Sequence, residues 1–262
     1  MSGARLYMQH QLTRKNFHNR LLEPCIPPPT SSCRVADVAC GTGVWSLELS
    51  EEVGPVGIEG LDISLKDVPS AEFTPAHVSF HQFDLLQELP AEMTGRFDIV
   101  NIQFVMLFIK DSNFSSALHR LLQMLKPGGW LQWTDSNSAN LKWPSGTPGK
   151  VAVQMPKLFS LTKELWGQSK SQWIAEIGHR FSDAGLEEVK VLKPSPQPST
   201  LVSTQLQSLW GLEDGFQYLR GKLPADAIRR WDDQYALAVA ETQELKLGFD
   251  MSLVRAVGRK PL

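Results

Sequence analysis

Val35-Ala-Asp-Val-Ala-Cys-Gly-Thr-Gly-Val-Trp45 is the stretch whose reading decides the fold. Its first half is a short apolar run with the character of a buried strand, and its second half is a two-glycine turn that enters a helical pattern over 45–52. Gly41 and Gly43 allow backbone to approach a ligand closely, while the start of the following helix presents N–H groups with no intrahelical acceptor. A nucleotide-like ligand fits such a turn. A dinucleotide fingerprint would want a third glycine where Ser46 stands, and it does not usually carry an acid at the position of Asp37. The dinucleotide reading is therefore weakened.

Outward from that turn, short β-branched runs at 34–38, 56–62, 78–84, 97–103 and 130–135 alternate with longer helical patterns, the signature of βα units that feed a parallel sheet. The helix expected over 115–125 places Leu118, Leu121, Leu122 and Leu125 at steps of three and four, and Lys126-Pro-Gly-Gly129 stops it. Beyond Asp135 the pattern is less regular. It predicts a loop over 136–150, helices over 151–166 and 172–184, a strand over 189–192, two helical segments after Pro194, Pro196 and Pro198, and a closing strand through Met251, Leu253, Arg255 and Val257. A helix over 6–22 would put Tyr7, Gln11, Arg14 and His18 on one face.

Composition bounds the function classes. The 262 residues are 42% hydrophobic with 26 Lys+Arg against 28 Asp+Glu, an ordinary globular balance that disfavours both dominant disorder and a nucleic-acid partner. The longest apolar run, 104–109, falls far short of the roughly 20 residues that span a bilayer, so no membrane partner is expected. Residues 1–20 carry Arg5, Arg14, Lys15 and Arg20 without an apolar core between them, which does not read as a secretory signal. Cys25, Cys33 and Cys40 lack CxxC spacing, which argues against a disulfide framework or a zinc site and for a reducing, cytoplasmic location. No carboxylate cluster specifies a divalent metal, and the oligomeric state is not legible.

The acid at Asp37 followed by Ala39, Gly41 and Gly43 resembles motif I of the class I S-adenosylmethionine-dependent methyltransferases, with Ala39 where the first of three alternating glycines is usual. Nineteen residues beyond Gly43, Asp62 ends the second strand, where a carboxylate can accept both ribose hydroxyls. Asp84-Leu85 at the third strand and Lys126-Pro-Gly-Gly-Trp130 before the fifth also resemble that family, and Tyr7-Met-Gln-His10 with Val44-Trp45 is similar to fungal methyltransferases of secondary metabolism. The resemblance implies an α/β fold, a seven-stranded Rossmann-like sheet with its last strand antiparallel and helical lid insertions. It implies one domain over 1–262, with a helical cap over 1–33, a cofactor core over 34–135 and lid helices and closing strands over 136–262. It also implies S-adenosyl-L-methionine as cofactor, held by Tyr7, Asp37, Ala39, Cys40, Gly41, Gly43, Asp62, Ile63, Asp84, Leu85 and Gln103.

The acceptor expected is a small, largely apolar natural product methylated on oxygen or nitrogen. Trp133 and Asn137, at the carboxyl end of a parallel strand, are the candidate substrate residues. His10, His18 and Asp135 are the candidate general bases, which a phenol would need and a carboxylate would not. The other tryptophans after the core, Trp143, Trp166, Trp173, Trp210 and Trp231, read as packing residues. Two other classes share these features: a natural-product cyclase that keeps the cofactor without spending its methyl, and a non-catalytic binding protein on the same scaffold.

Overall fold

Strand β1 (Arg34–Val38) is buried from its second residue onward, as a strand with neighbours on both sides must be. In the computed structural model, which describes residues 3–166 and 172–262, β1 lies between β2 (Gly57–Asp62) and β4 (Phe97–Gln103), parallel to both. The sheet continues through β3 (Val78–Gln82) on one side and β5 (Leu125–Ser136), β7 (Leu253–Arg259) and β6 (Glu187–Leu192) on the other, in the order β3-β2-β1-β4-β5-β7-β6. β7 runs antiparallel to both of its neighbours. Strand order reverses between β1 and β4, and in open α/β sheets the crevice beyond the carboxyl ends of strands at such a reversal is where ligands bind.

The seven helices among the described residues are α1 (Gly3–Asn16), α2 (Val44–Val53), α3 (Asp111–Met124), α4 (Gln154–Leu165), α5 (Ile177–Asp183), α6 (Pro198–Arg220) and α7 (Ala225–Leu245). Two compact units divide the chain. The sheet unit comprises Asn19–Asn137, Lys170–Lys193 and Leu253–Leu262, and the helical unit comprises Met1–His18, Ser138–Ser169 and Pro194–Ser252.

Within the sheet unit the two faces differ. One packs Ala36, Val38, Val100, Ile102, Leu131 and Trp133 against α3 and α5, and the other packs Val35, Ile58, Ile99, Trp130 and Val257 against Trp45 and Leu49 of α2. The second face turns polar toward the carboxyl ends of the strands, where Asp37, Asn101 and Gln132 occupy adjacent register positions. Within the helical unit, Phe216 stacks on Trp231 at 3.8 Å between ring centroids, and the Glu241 carboxylate of α7 accepts from the N–H groups of Val153, Gln154 and Met155 at 2.6–2.9 Å, capping α4 with negative charge at its positive end.

The sequence expectations differ from the structure mainly at element ends. α3 begins four residues before 115, where the Lys110 N–H donates to the Asn113 side chain at 2.7 Å. β5 begins at Leu125, because the Pro-Gly-Gly stop passes straight into the strand with a register shift opposite Phe97 and Ile99. The helix expected over 172–184 is a short 3-10 turn, Gln172–Ile174, followed by α5. α1 stops at Asn16, since His18 and Asn19 both take left-handed backbone (φ 56° and 61°), so His18 lies off the helical face that carries Tyr7 and Gln11. No helix among the described residues is long and apolar enough to cross a membrane.

Candidate active site at the carboxyl ends of β1 to β4

The turn after β1 is built by backbone that side chains rarely adopt. Ala39, Gly41 and Gly43 have φ of 56°, 58° and 71°, and Gly43 starts α2 as its N-cap. A Cβ on Gly43 would stand 2.5 Å from the Phe80 ring and one on Gly60 would stand 2.4 Å from the same ring, so glycine at both positions lets β2, β3 and the turn close on each other. Ala39 is an exposed non-glycine residue in left-handed backbone, a state that costs an L-residue about 1–2 kcal/mol. Ala39→Gly should therefore raise the unfolding free energy by about 0.5–1 kcal/mol in urea denaturation, the relieved strain less the roughly 0.4–1 kcal/mol of unfolded-state freedom that glycine regains. A loss of stability would mean that the Ala39 methyl makes a contact worth more than the strain.

Asp62 holds the turn from the next strand. Its Oδ2 accepts from the Gly41 N–H at 2.8 Å and its Oδ1 from the Ser64 N–H at 3.0 Å, which leaves each oxygen a further lone pair for a ligand hydroxyl. Ile63 beside it is exposed although it is a large apolar residue, with 62% of its surface accessible. Asp84 accepts from the Leu86 N–H at 2.9 Å through Oδ1, and both Asp84 and Leu85 keep partial exposure. Gln103 ends β4, and the next residue, Phe104, also has left-handed backbone (φ 54°), its N–H held by the Thr134 carbonyl at 3.0 Å. Two adjacent strands at the order reversal thus each end on a strained non-glycine residue. Such strain persists where surrounding structure over-determines it, characteristically at ligand sites.

Asp37 lies beneath the turn, 3% exposed, accepting from Ser46 Oγ at 2.8 Å and from Asn101 Nδ2 at 2.9 Å. Burial pushes its carboxyl up to about 7, against the lowering effect of those two donors. Cys40, expected at the cofactor, has its thiol buried and driven strongly upward by burial and by the Asp37 and Asp62 charges, so it is a packing group and no nucleophile.

The candidates at the end of β5 are buried. Trp133, a candidate substrate residue, has no exposed surface and packs on Phe114 and Trp173 at 5.4 and 5.0 Å, its indole lying on the sheet face that α3 covers. Asp135, 1% exposed, accepts from the Val105 and Ser136 N–H groups at 3.0 Å and from the Trp133 indole at 3.4 Å, and burial pushes it up to about 7. Those bonds commit its oxygens to fixing the start of the loop after β4. Asn137 is 5% exposed. In the helical unit Tyr7 is exposed, His10 is buried on α1 and His18 is exposed. A surface groove of about 530 Å³ beside Glu88, His119 and Arg120 contains none of these residues. No group of three His, Cys, Asp or Glu among the described residues is placed to hold a metal.

The reversed α/β sheet with an antiparallel β7, the acid under a left-handed turn and the second acid at the end of β2 form a cradle for a nucleotide-like cofactor, and the comparisons with known proteins support an S-adenosylmethionine-dependent methyltransferase with S-adenosyl-L-methionine as that cofactor. The cradle fits that group: the turn backbone is open to ligand at Ala39 and Gly41, and the Asp62 oxygens keep acceptor capacity. Residues 35–129 match the methyltransferase domain family. Over nearly its whole length the chain is similar to the methyltransferase grgD of a Penicillium species, 29% identical over 91% of this chain and 92% of that one. Among solved structures the fold is similar to the phosphoethanolamine N-methyltransferase 2 of Haemonchus contortus in complex with S-adenosyl-L-methionine (TM-score 0.56, 17% identity, 95% of this chain but 53% of that one). It is also similar to the [4+2]-cyclase SpnF (TM-score 0.54, 19% identity, 96% and 80%). This chain thus spans about half the length of the first of these structures.

Proposed function

We propose that this chain moves the methyl group of S-adenosylmethionine to an oxygen or nitrogen of a small, largely apolar natural product. The observation that carries the reading is Asp62, which orders the glycine turn through Gly41 and keeps acceptor capacity toward the crevice. Ala39, Gly41 and Gly43 would hold the cofactor at the turn, Asp62 would accept its ribose hydroxyls, and Ile63, Asp84 and Leu85 would flank its adenine. Its sulfonium supplies an electrophilic methyl group, so the chain's own task is alignment of the acceptor and exclusion of water. Of the candidate bases, Asp135 at the end of β5 accepts from two backbone N–H groups and the Trp133 indole. The free thiols of Cys25, Cys33 and Cys40 support a reducing, cytoplasmic setting.

A second reading is a cyclisation that uses the cofactor only as a fixed positive charge: the Asp135 carboxyl at the end of β5 is held by backbone and indole donors, and the fold of a [4+2]-cyclase is similar. Turnover of methyl-labelled S-adenosylmethionine against a metabolite extract separates the two. Transfer yields one S-adenosylhomocysteine for each labelled methyl found in product, and added S-adenosylhomocysteine inhibits. Product of the same mass as its precursor, formed over many turnovers per cofactor with no label lost, would overturn transfer.

A further inference from the structure

The polar end of the sheet's second face forms one connected row of hydrogen bonds. Gln132 on β5 accepts the Glu23 N–H through Oε1 at 3.0 Å and donates from Nε2 to the Leu21 carbonyl at 2.8 Å and to Asn101 Oδ1 at 3.1 Å. Asn101 on β4 then donates from Nδ2 to Asp37 Oδ1 at 2.9 Å, while Ser46 on α2 donates to the other oxygen at 2.8 Å. Beyond Gln132 the row ends on a buried ion pair, in which Arg255 binds Glu23 at 2.9 Å and Thr134 Oγ1 at 2.9 Å. Asp37, Ser46, Asn101, Gln132, Glu23 and Arg255 are all buried, with Asn101 and Gln132 fully inaccessible.

The direction of every bond in this row is set at its far end. A backbone N–H only donates and a backbone carbonyl only accepts, so Glu23 and Leu21 fix which end of the Gln132 amide faces each of them. The remaining Gln132 N–H then fixes the oxygen of Asn101, which leaves the Asn101 amino group facing Asp37. We infer that Gln132 is a positioning residue for the cofactor site: through Asn101 it keeps an amide donor, not an amide oxygen, on the Asp37 carboxylate, although Gln132 and Asp37 do not touch.

The inference rests on the proposed placement of the cofactor over the turn above Asp37. Donors to the ionised form lower a carboxyl's pKa and their loss raises it. The groups that face Asp37 are Ser46 from α2, Asn101 from β4, Asp62 from the end of β2 and Cys40 from the turn, and of these only Ser46 and Asn101 favour its charge. Burial already carries Asp37 to about 7, so a weakened Asn101 bond moves its titration to higher pH. S-adenosylmethionine carries an ammonium and a sulfonium, and an ionised Asp37 under the turn favours both.

The test is the affinity of the full chain for S-adenosylmethionine, measured calorimetrically from pH 6 to 9.5. The native affinity should fall as pH drops through the midpoint, approaching about tenfold per pH unit for one linked proton, and each variant is compared with the native protein at the same pH because the ligand's own ammonium also titrates in this range. Gln132→Met should move that midpoint up by about one unit while reaching the native affinity at pH 9.5. Gln132→Glu, which keeps size and an acceptor for Glu23, should shift it in the same direction and serves if the methionine variant does not fold. Asp37→Asn should flatten the profile. A loss of affinity by one factor at every pH, an unmoved midpoint, or a native profile in Asp37→Asn would overturn the inference. If Asp62→Ala and Asp37→Asn both leave affinity unchanged throughout, the placement of the cofactor falls instead.

Discussion

Trp133→Ala is expected to lower the unfolding free energy by about 3–5 kcal/mol, the cost of removing a large aromatic side chain from a filled core. The indole is wholly inaccessible and meets Phe114 and Trp173, which also stack on each other at 4.9 Å. Trp173 is in turn anchored by its indole N–H on the Ile109 carbonyl at 2.9 Å, so this aromatic set ties α3, the loop after β4 and the segment before α5 to one strand. Against a typical stability of about 5–15 kcal/mol, the loss is a large share. Urea unfolding of the variant at two protein concentrations checks it. A loss below about 1 kcal/mol, together with weakened acceptor binding, would return Trp133 to the pocket wall that its position in the sequence suggests, since a core aromatic costs several times that.

The face that Trp133 joins shows what a sequence carries and what it does not. β1 and β4 are legible to the residue, because β-branched runs bounded by polar turns leave one reading. The turn is legible through Asp37, Gly41 and Gly43, and Ala39 adopts the same left-handed backbone that a glycine would supply there. At the end of β5, however, position alone does not say which face a side chain joins. Trp133 shares the α3 face with Leu131, whereas Gln132 and Thr134 look the other way, toward partners more than a hundred residues distant in the chain, Leu21, Glu23 and Arg255. The signal available was the polarity itself: Asn101, Gln132 and Arg255 are polar residues inside strands that the fold must bury, and such groups need partners. Which partners they find is a property of non-local packing. The end of α1 was hidden for a different reason, since two successive left-handed residues, His18 and Asn19, follow it without a glycine or proline to announce them.

Asp62→Ala is expected to weaken S-adenosylmethionine binding by about 1.5–3 kcal/mol, between roughly tenfold and a hundredfold in dissociation constant, while the protein stays folded. Two losses combine in that figure. The ribose hydroxyls lose a charged acceptor, and the Gly41 N–H, now held at 2.8 Å by Asp62 Oδ2, is released to solvent so that the turn no longer arrives in its binding shape. The strand itself keeps its core contacts, because Leu61 and Ile58 supply the burial and the Asp62 carbonyl still accepts the Phe83 N–H at 2.8 Å. Asp62→Asn separates the two contributions: its amide oxygen can still accept from Gly41, but it brings no charge and turns an amino group toward one hydroxyl. If charge and acceptance at the ribose dominate, the asparagine variant falls near the alanine one. If ordering of the turn dominates, it falls near the native protein. Calorimetric titration of both variants reads the difference directly, and native affinity in both would mean that the ribose is held elsewhere in the crevice.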